Sequence, residues 1–392
     1  VDGLVRGGIR VFRMPLGPTP LVSFAVHRLG LDGGIMVTGS HNPSDQNGFK
    51  LMLGGDPLYG EALGELWQIE PEERGGGGAE EVDVSDAYLD ALLGELDGLA
   101  IANAAWDSGN GATGPMVERL VVRLPGAQRT AFTELDGSFP NHHPDPSVPD
   151  NLHDLQRIVT DEKLDLGIAF DGDGDRIGVV DGTGAIVWAD QLLLLLSLDL
   201  LADCPRATVV GDVKSSEVLF DGIREAGGRA VMSPSGYVLV REAMLRERAP
   251  LAGEMSGHIF FGDRWHHADD GLYNAIRTVR ALARLGITLA DFRASLPRTF
   301  ATAELRLPCP DERKADVLRA IELDVRARGL PLDSTDGLRV REEGGWWLVR
   351  ASGTEPKLTA RCEAGTEQAL DRLSTSLADR LEGLGLDPQA LR

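Results

Sequence analysis

The chain has 392 residues, more than one hydrophobic core usually holds, so two to four domains are expected. Its 42% hydrophobic and 26% charged residues are the composition of an ordinary globular protein in water. A net charge of -22, from 39 basic against 61 acidic residues, disfavours nucleic acid and anionic membranes as partners, and it requires any anionic substrate to sit in a locally basic exception.

The first strand-like run, Gly34–Thr38, leads into Thr38-Gly39-Ser40-His41-Asn42-Pro43. A serine on a glycine-hinged turn leaving a strand is exposed and approachable, although Ser and Asn-Pro also suit a helix N-cap or an Asx-type turn. No Gly-x-Ser-x-Gly elbow is present, which disfavours a hydrolase-type serine. The four consecutive glycines in Arg74–Ala79 mark a flexible connection and a boundary near residue 85. A second apolar run, Leu99–Trp106, precedes Gly109-Asn110-Gly111-Ala112-Thr113-Gly114, which matches a dinucleotide fingerprint with Glu134 and Asp136 further on. Such glycines serve any tight strand-to-helix turn equally well. His142-His143 among prolines, and later His266-His267, lack the i, i+4 spacing of a helical zinc site and read as exposed loop.

Two strands, Leu166–Phe170 and Ile177–Asp181, flank Asp171-Gly172-Asp173-Gly174-Asp175-Arg176. Three carboxylates at alternate positions on a glycine-loosened turn suit a hard cation, Mg²⁺ or Ca²⁺. An EF-hand is excluded, because its sixth and twelfth positions would be Arg176 and Gly182 rather than Gly and Glu. Each close carboxylate pair costs roughly 1–4 kcal/mol at surface-like dielectrics, so an occupying cation is the simpler explanation of the turn.

Beyond a boundary near 185, Leu192–Leu196 with Leu198, Leu200 and Leu201 is too short for a membrane span and reads as a buried helix. Thr208–Val213 is a further strand. Gly253-Glu254-Met255-Ser256-Gly257-His258 follows, and an extended loop there would point Glu254 and Ser256 the same way, as sugar hydroxyls require. Helical sequence at Tyr273–Leu285 gives way near Leu296-Pro297 to a last unit. In it the strand-like Trp346–Val349 runs into Arg350-Ala351-Ser352-Gly353-Thr354-Glu355-Pro356-Lys357. Arg350, Ser352 and Thr354 alternate, and Gly353 permits close backbone approach, a combination suited to a phosphate dianion. A helix from about Glu367 to Leu384 closes the chain. Cys204, Cys309 and Cys362 have no metal-ligand spacing and fit a reduced, cytoplasmic compartment.

In this order (serine loop, acidic loop, sugar loop, phosphate loop) the chain resembles the α-D-phosphohexomutase superfamily, and most closely its bacterial phosphomannomutase/phosphoglucomutase branch. Supporting stretches are Gly17-Pro18-Thr19-Pro20, Asn47-Gly48-Phe49-Lys50, Asp212-Val213-Lys214 and Asp269-Asp270-Gly271. The resemblance implies a multidomain α/β fold of three similar mixed domains and a distinct C-terminal α+β domain around a central cleft. The expected divisions are 1–85, 86–185, 186–297 and 298–392. It implies that Ser40 carries the phosphoryl group and joins Asp171, Asp173 and Asp175 in holding one Mg²⁺ per chain. Arg176 stands beside the metal loop, His41 and Lys50 flank the phosphoserine, Glu254 and Ser256 read sugar hydroxyls, and His258, Lys214 and Tyr237 line the site. Arg350, Ser352, Gly353 and Thr354 grip the non-reacting phosphate; Lys50, His41 or His258 takes the hydroxyl proton.

The implied activity interconverts hexose 1- and 6-phosphates of mannose or glucose through a hexose 1,6-bisphosphate, with phosphoglucosamine mutase or a non-catalytic sugar-phosphate-binding relative as alternatives. A cytoplasmic monomer is expected, with a dimer as the alternative. Two positions depart from the pattern: Tyr237 stands where a Gly-His turn is usual, and Gly353 replaces an asparagine. With 39 residues ahead of Ser40 and Val1 at the start, only part of the first domain is expected, without the Tyr-Asp-Ile-Arg-Gly-type segment that faces the phosphoserine in the family.

Overall fold

Short apolar runs separated by amphipathic stretches become the strands of α/β layers, and each run forms its strand where its neighbours can cover both faces. The computed structural model describes every residue except His41, Pro43, Ser44, Trp67, Pro71, Thr354, Gln389, Ala390 and Arg392. The chain packs as two compact units, Val1–Ala207 with Ala249–Ala294, and Thr208–Arg248 with Ser295–Arg392. Among the described residues, no helix is long and apolar enough to cross a membrane.

The first unit is organised by a five-stranded sheet, in the order Ile186–Val187, Ile177–Asp181, Leu166–Phe170, Ala104–Asp107, Gln128–Ala131. The strands 104–107, 128–131 and 166–170 are parallel, while 177–181 returns antiparallel to 166–170, pairing Phe170 with Ile177. That reversal places the acidic turn at the end of two fully formed strands. Leu166–Phe170 is buried along its whole length, which explains its unbroken apolar sequence. Trp106 is wholly buried and stacks on Phe170 with ring centroids 6.4 Å apart. Two smaller sheets carry the N-terminal segment: Arg10–Arg13 runs parallel to Gly78–Glu81, and Gly33–Val37 pairs antiparallel with Phe49–Leu53, which pairs with Asp56–Pro57. The second pairing sets Met36 opposite Lys50.

The leucine-rich run forms the helix Ala189–Asp203, with Leu192–Leu196 all buried. A helix apolar all round needs cover on every side. The helix Gly271–Leu285 supplies part of it and answers the one charge in the run, with Arg280 Nη1 2.5 Å and Arg284 Nη1 3.1 Å from the buried Asp199 carboxylate. Asp270 caps that second helix by accepting from the Tyr273 amide at 2.9 Å, and it also accepts from the Tyr88 hydroxyl at 2.8 Å.

Burial pushes the Asp270 carboxyl up to about 7, and the neighbouring Asp269 charge adds to the rise. A folded-state value above the unfolded one favours folding fully below about pH 4, and that advantage is lost as pH rises to about 7, a change on the order of 4 kcal/mol. Asp270→Asn keeps the acceptor oxygen and removes the titration. Its unfolding temperature relative to wild type is therefore expected to rise from pH 5 and level off above about pH 7 in thermal melts. A pH-independent difference would show that Asp270 does not titrate in this range.

The second unit pairs Thr208–Asp212 parallel with Arg229–Ser233, between which the helix Glu217–Glu225 crosses over. Its other half is an antiparallel sheet built on Leu338–Glu342, Gly345–Ala351 and Lys357–Ala364, with the helices Asp311–Ala327 and Glu367–Gly383 sharing its core of Trp347, Val349, Leu358, Leu377 and Leu381. The register sets Arg350 opposite Thr359 and Ala351 opposite Leu358, so the phosphate-type loop is the turn of the central hairpin.

Candidate active site

The acidic turn folds on itself before it meets anything else. Asp171 Oδ1 accepts from the amides of Gly174 at 3.0 Å and Arg176 at 3.1 Å, closing the loop. Gly174 takes φ +76°, the left-handed region that a glycine enters without strain. At Gly172 a Cβ would stand 2.1 Å from the Ser40 carbonyl oxygen, so the serine loop and the metal turn touch backbone to backbone only because this residue is glycine. The Gly109–Gly114 loop seats the turn from the other side, with the Ala112 amide donating to the Gly172 carbonyl at 2.8 Å. Its glycines therefore serve a strand-to-helix turn.

The carboxylates of Asp171, Asp173 and Asp175 are buried, with ligand oxygens within 4.8 Å of one another. Ser40 reaches them from a position 131 to 133 residues away: its Oγ lies 3.2 Å from Asp171 Oδ2 and 2.9 Å from Asp173 Oδ1. Its backbone sits at φ +50° and its amide donates to Thr38 Oγ1 at 2.8 Å. Lys50 Nζ donates to Asp173 at 2.7 Å and also to Asp175, and the Thr19 hydroxyl donates to Asp173 at 2.6 Å. Asp175 Oδ1 is buried and has no hydrogen-bond partner among the described residues. Three convergent carboxylates, a hydroxyl between two of them and an oxygen without a donor are the donor set of a hard divalent cation such as Mg²⁺.

The electrostatics follow from this crowding. Burial opposes the Asp173 anion, but the Lys50 ammonium and the bonds from Lys50, Thr19 and Ser40 hold it down to about 2. Burial, then the Asp173 and Asp171 charges, push Asp175 well above the usual carboxylate range. Lys50 is held above its ordinary value against its own burial by Asp175 and Asp173. His258 is half-buried, and against the cost of its desolvation Asp175 and a 2.8 Å bond to Asp269 raise it to about 9. Asp175, His258 and Asp269 also converge within 4.8 Å, with the His258 ring bonded to Asp269 at 2.8 Å, so Asp175 is shared between this group and the triad. Arg176 is not turned toward open space: Nε donates to Asp171 at 2.9 Å, Nη1 lies 3.3 Å from Asp145, and the side chain is 6% exposed. It holds the metal turn in shape.

The sugar-type loop is not extended. Gly257 N donates to the Glu254 carbonyl at 3.0 Å and Glu254 N to the His258 carbonyl at 2.9 Å, so residues 254–257 form a tight turn between Leu251–Gly253 and Ile259–Phe261. The antiparallel register sets Gly253 opposite Ile259, so the chain reverses within the five residues between them, and alternation does not set the directions of Glu254 and Ser256. Glu254 is buried, and Ser256 Oγ is buried without a partner among the described residues. His258 bridges Arg176 backbone to backbone, which ties this turn to the metal turn.

In the second unit, Asp336 joins two expected site segments: it accepts from Arg350 Nε at 2.9 Å and from the Ser235 amide at 3.1 Å, two residues before Tyr237. Tyr237 opens the helix Tyr237–Glu247. Ser352 accepts from the Glu355 amide, and Lys314 Nζ donates to the carbonyls of Ser352 at 2.8 Å and Glu355 at 2.6 Å. A Cβ on Gly353 would meet nothing within 4 Å, so packing within the loop does not demand glycine there. Lys214 Nζ lies 3.8 Å from Glu304. His41 and Thr354 lie outside the described residues.

Sequence reasoning missed Lys314, Asp336, Asp145 and Asp269 as partners, although Thr19 and Asp269 lie in stretches that supported the resemblance. It also placed both histidine pairs in exposed loop; all four lie in loops and His143 is exposed, but His142, His266 and His267 are half-buried. His142 is bonded to the buried Asp107, and His266 is stacked on His27 with centroids 5.0 Å apart. In each case a partner distant in sequence draws the ring inward.

Four families match along the chain, each described as a part of phosphoglucomutase/phosphomannomutase: alpha/beta/alpha domain I over residues 1–69, domain II over 86–184, domain III over 188–300, and the C-terminal domain over 304–380. A phosphomannomutase/phosphoglucomutase of Pseudomonas putida is 38% identical over 392 residues, covering 99% of this chain and 84% of the relative. A phosphoglucomutase of Neisseria gonorrhoeae is 40% identical over 380 residues, 95% of this chain and 82% of the relative. The crystal structure of a phosphoglucomutase/phosphomannomutase family protein from Burkholderia thailandensis superposes with a TM-score of 0.89 at 37% identity, covering 97% of this chain and 84% of that one.

Proposed function

The chain belongs to the phosphoglucomutase/phosphomannomutase family and is a hexose-phosphate mutase, and from that premise we propose how its residues carry the phosphoryl group. In this reading Ser40 Oγ bears the phosphate. A hydroxyl of a bound hexose monophosphate attacks it: the bond from phosphorus to Ser40 Oγ breaks, the bond to the sugar oxygen forms, and the hydroxyl proton passes to a neighbouring base. The resulting hexose 1,6-bisphosphate turns end for end and returns its other phosphoryl group to Ser40. Asp171, Asp173, Asp175 and Ser40 would hold Mg²⁺, which supplies charge neutralisation at the transferring phosphoryl oxygens. The Lys50 ammonium adds positive charge beside a phosphoserine of about -1.5 to -2. Arg176 keeps Asp171 oriented, Glu254 and Ser256 bind sugar hydroxyls, and Arg350, Ser352, Gly353 and Thr354 take the phosphate that does not react, with Tyr237 and Lys214 as further contacts.

The observation that carries this reading is the Ser40 hydroxyl lying between two carboxylates of the triad, beside Lys50. The substrates we assign are mannose and glucose phosphates, in the cytoplasm, a reading supported by the names of the relatives and by a net charge of -22 that disfavours larger anionic partners. The test is an isomerase assay with mannose, glucose and glucosamine 1-phosphates, each with catalytic bisphosphate. Faster turnover of mannose or glucose is expected. Preference for glucosamine would move the enzyme to another branch, and binding without turnover would refute catalysis.

A further inference from the structure

Residues 140–147 lie along the metal turn without contributing a ligand to it. His142 Nε2 contacts both oxygens of Asp107, at 3.2 and 3.0 Å, and Nδ1 lies 3.0 Å from the His143 carbonyl. Both ring nitrogens thus face acceptors, an arrangement that only the doubly protonated ring satisfies. Against partial burial, the bond to Asp107 and its charge raise the imidazole above its ordinary value. Asp107 is 1% exposed and ends the strand Ala104–Asp107, opposite Ala169 on the strand that leads into the metal turn. Next to His142, Asn141 Nδ2 donates to Asn110 at 2.7 Å, a second pin on the same loop.

From this anchor the segment delivers two contacts to the turn. Pro144 stands 3.4 Å from the place a Cβ would take on Gly172. Asp145 lies 3.3 Å from Arg176 Nη1, and Arg176 Nε holds Asp171 Oδ2 at 2.9 Å. The hydrogen bonds of the His142 ring go to Asp107 and the His143 carbonyl, not to the carboxylates of the triad.

We propose that His142, locked on Asp107, is a positioning residue for the metal turn, acting through the strap 140–147 and the Asp145–Arg176–Asp171 relay to set divalent-cation affinity. This rests on the reading of Asp171, Asp173 and Asp175 as the Mg²⁺ ligands. A ligand that must present one oxygen to a cation is aimed by the groups that hold its other contacts, and losing such an outer partner typically lowers metal affinity or activity 10- to 100-fold. Asp171 has such a partner in Arg176, and Arg176 has one in Asp145. Without the His142 anchor, the strap that carries Asp145 keeps the Asn141 bond to Asn110 and the Asn151 donation to the Asp145 carbonyl at 2.8 Å, and loses its tie to the buried Asp107 at the end of the strand beside the metal turn.

The experiment is Mg²⁺ titration calorimetry on the full chain, comparing wild type, Asp171→Asn, His142→Ala, His142→Gln and Asp145→Asn, with glucose 1-phosphate kinetics alongside. For His142→Ala and Asp145→Asn we expect a Kd about tenfold weaker, for His142→Gln less than about threefold, with KM for the sugar phosphate within about twofold and kcat recovering at high Mg²⁺. Wild-type Mg²⁺ binding lost in Asp171→Asn identifies the site. If wild type binds no Mg²⁺, the reading of the triad fails and takes this inference with it. If wild type binds and the His142 and Asp145 variants match its Kd, the inference alone is overturned, and a lowered melting temperature with that unchanged Kd marks the strap as merely structural. Should His142→Ala not fold, His142→Gln and Asp145→Asn decide between these outcomes.

Discussion

Ser40→Ala is expected to lower turnover by at least about 10⁴-fold, the scale on which enzymes lose rate when a covalent nucleophile is removed. The size follows from the lack of a substitute. Thr19 also donates to the triad, but to Asp173 alone and from the first turn of a helix, whereas Ser40 Oγ lies between Asp171 and Asp173. A phosphate on Ser40 would add about two negative charges beside three carboxylates, tolerable only with the Lys50 ammonium and a bound cation in place. Incubation with glucose 1,6-bisphosphate followed by peptide mass spectrometry is therefore expected to place one phosphate on Ser40. Label on another residue, or wild-type turnover by the alanine variant, would end the phosphoserine mechanism.

Chelation has the second largest expected effect. Excess EDTA is expected to reduce turnover by at least about 10³-fold, since phosphoryl transfer depends almost wholly on neutralising spreading charge. Circular dichroism should barely change. The triad occupies one turn, closed by Asp171 accepting from two amides and by Lys50 bridging Asp173 and Asp175, and none of those bonds requires a metal. Returning Mg²⁺ should restore activity and raise the unfolding midpoint, because saturation at 100 times Kd stabilises the protein by about 2.7 kcal/mol. Undiminished turnover in excess EDTA would contradict the metal assignment.

Much of this site was legible in the sequence because its pieces are local. Leu166–Phe170 is an unbroken apolar run and Ile177–Val180 a second, on either side of a turn, and the strands occur at Leu166–Phe170 and Ile177–Asp181. The leucine helix was legible for the same reason, since a chain apolar on every side must be buried. The directions of polar side chains were not. Arg176 reads as a cation beside a metal loop, yet it turns inward to Asp171 because Asp145, 31 residues earlier, receives its other end. The sugar-type loop reads as extended from its alternation, but the turn is set by the backbone bond from Gly257 to Glu254. Likewise, nothing local ties Lys314 to a loop 38 to 41 residues away. That Ser40 faces Asp173 across 133 residues came from resemblance rather than from pattern.

The left-handed backbone of Ser40 has a consequence for how this protein responds to selection. A serine at φ +50° gives up about 1 kcal/mol that glycine would not. Ser40→Gly relaxes the turn while deleting the hydroxyl, so under the proposed phosphoserine mechanism the simplest stabilising change at this position is also an inactivating one. Under that mechanism, a laboratory search scored on heat resistance alone would drift toward a well-folded chain that turns over nothing. Serine would then persist here only under a screen that demands product.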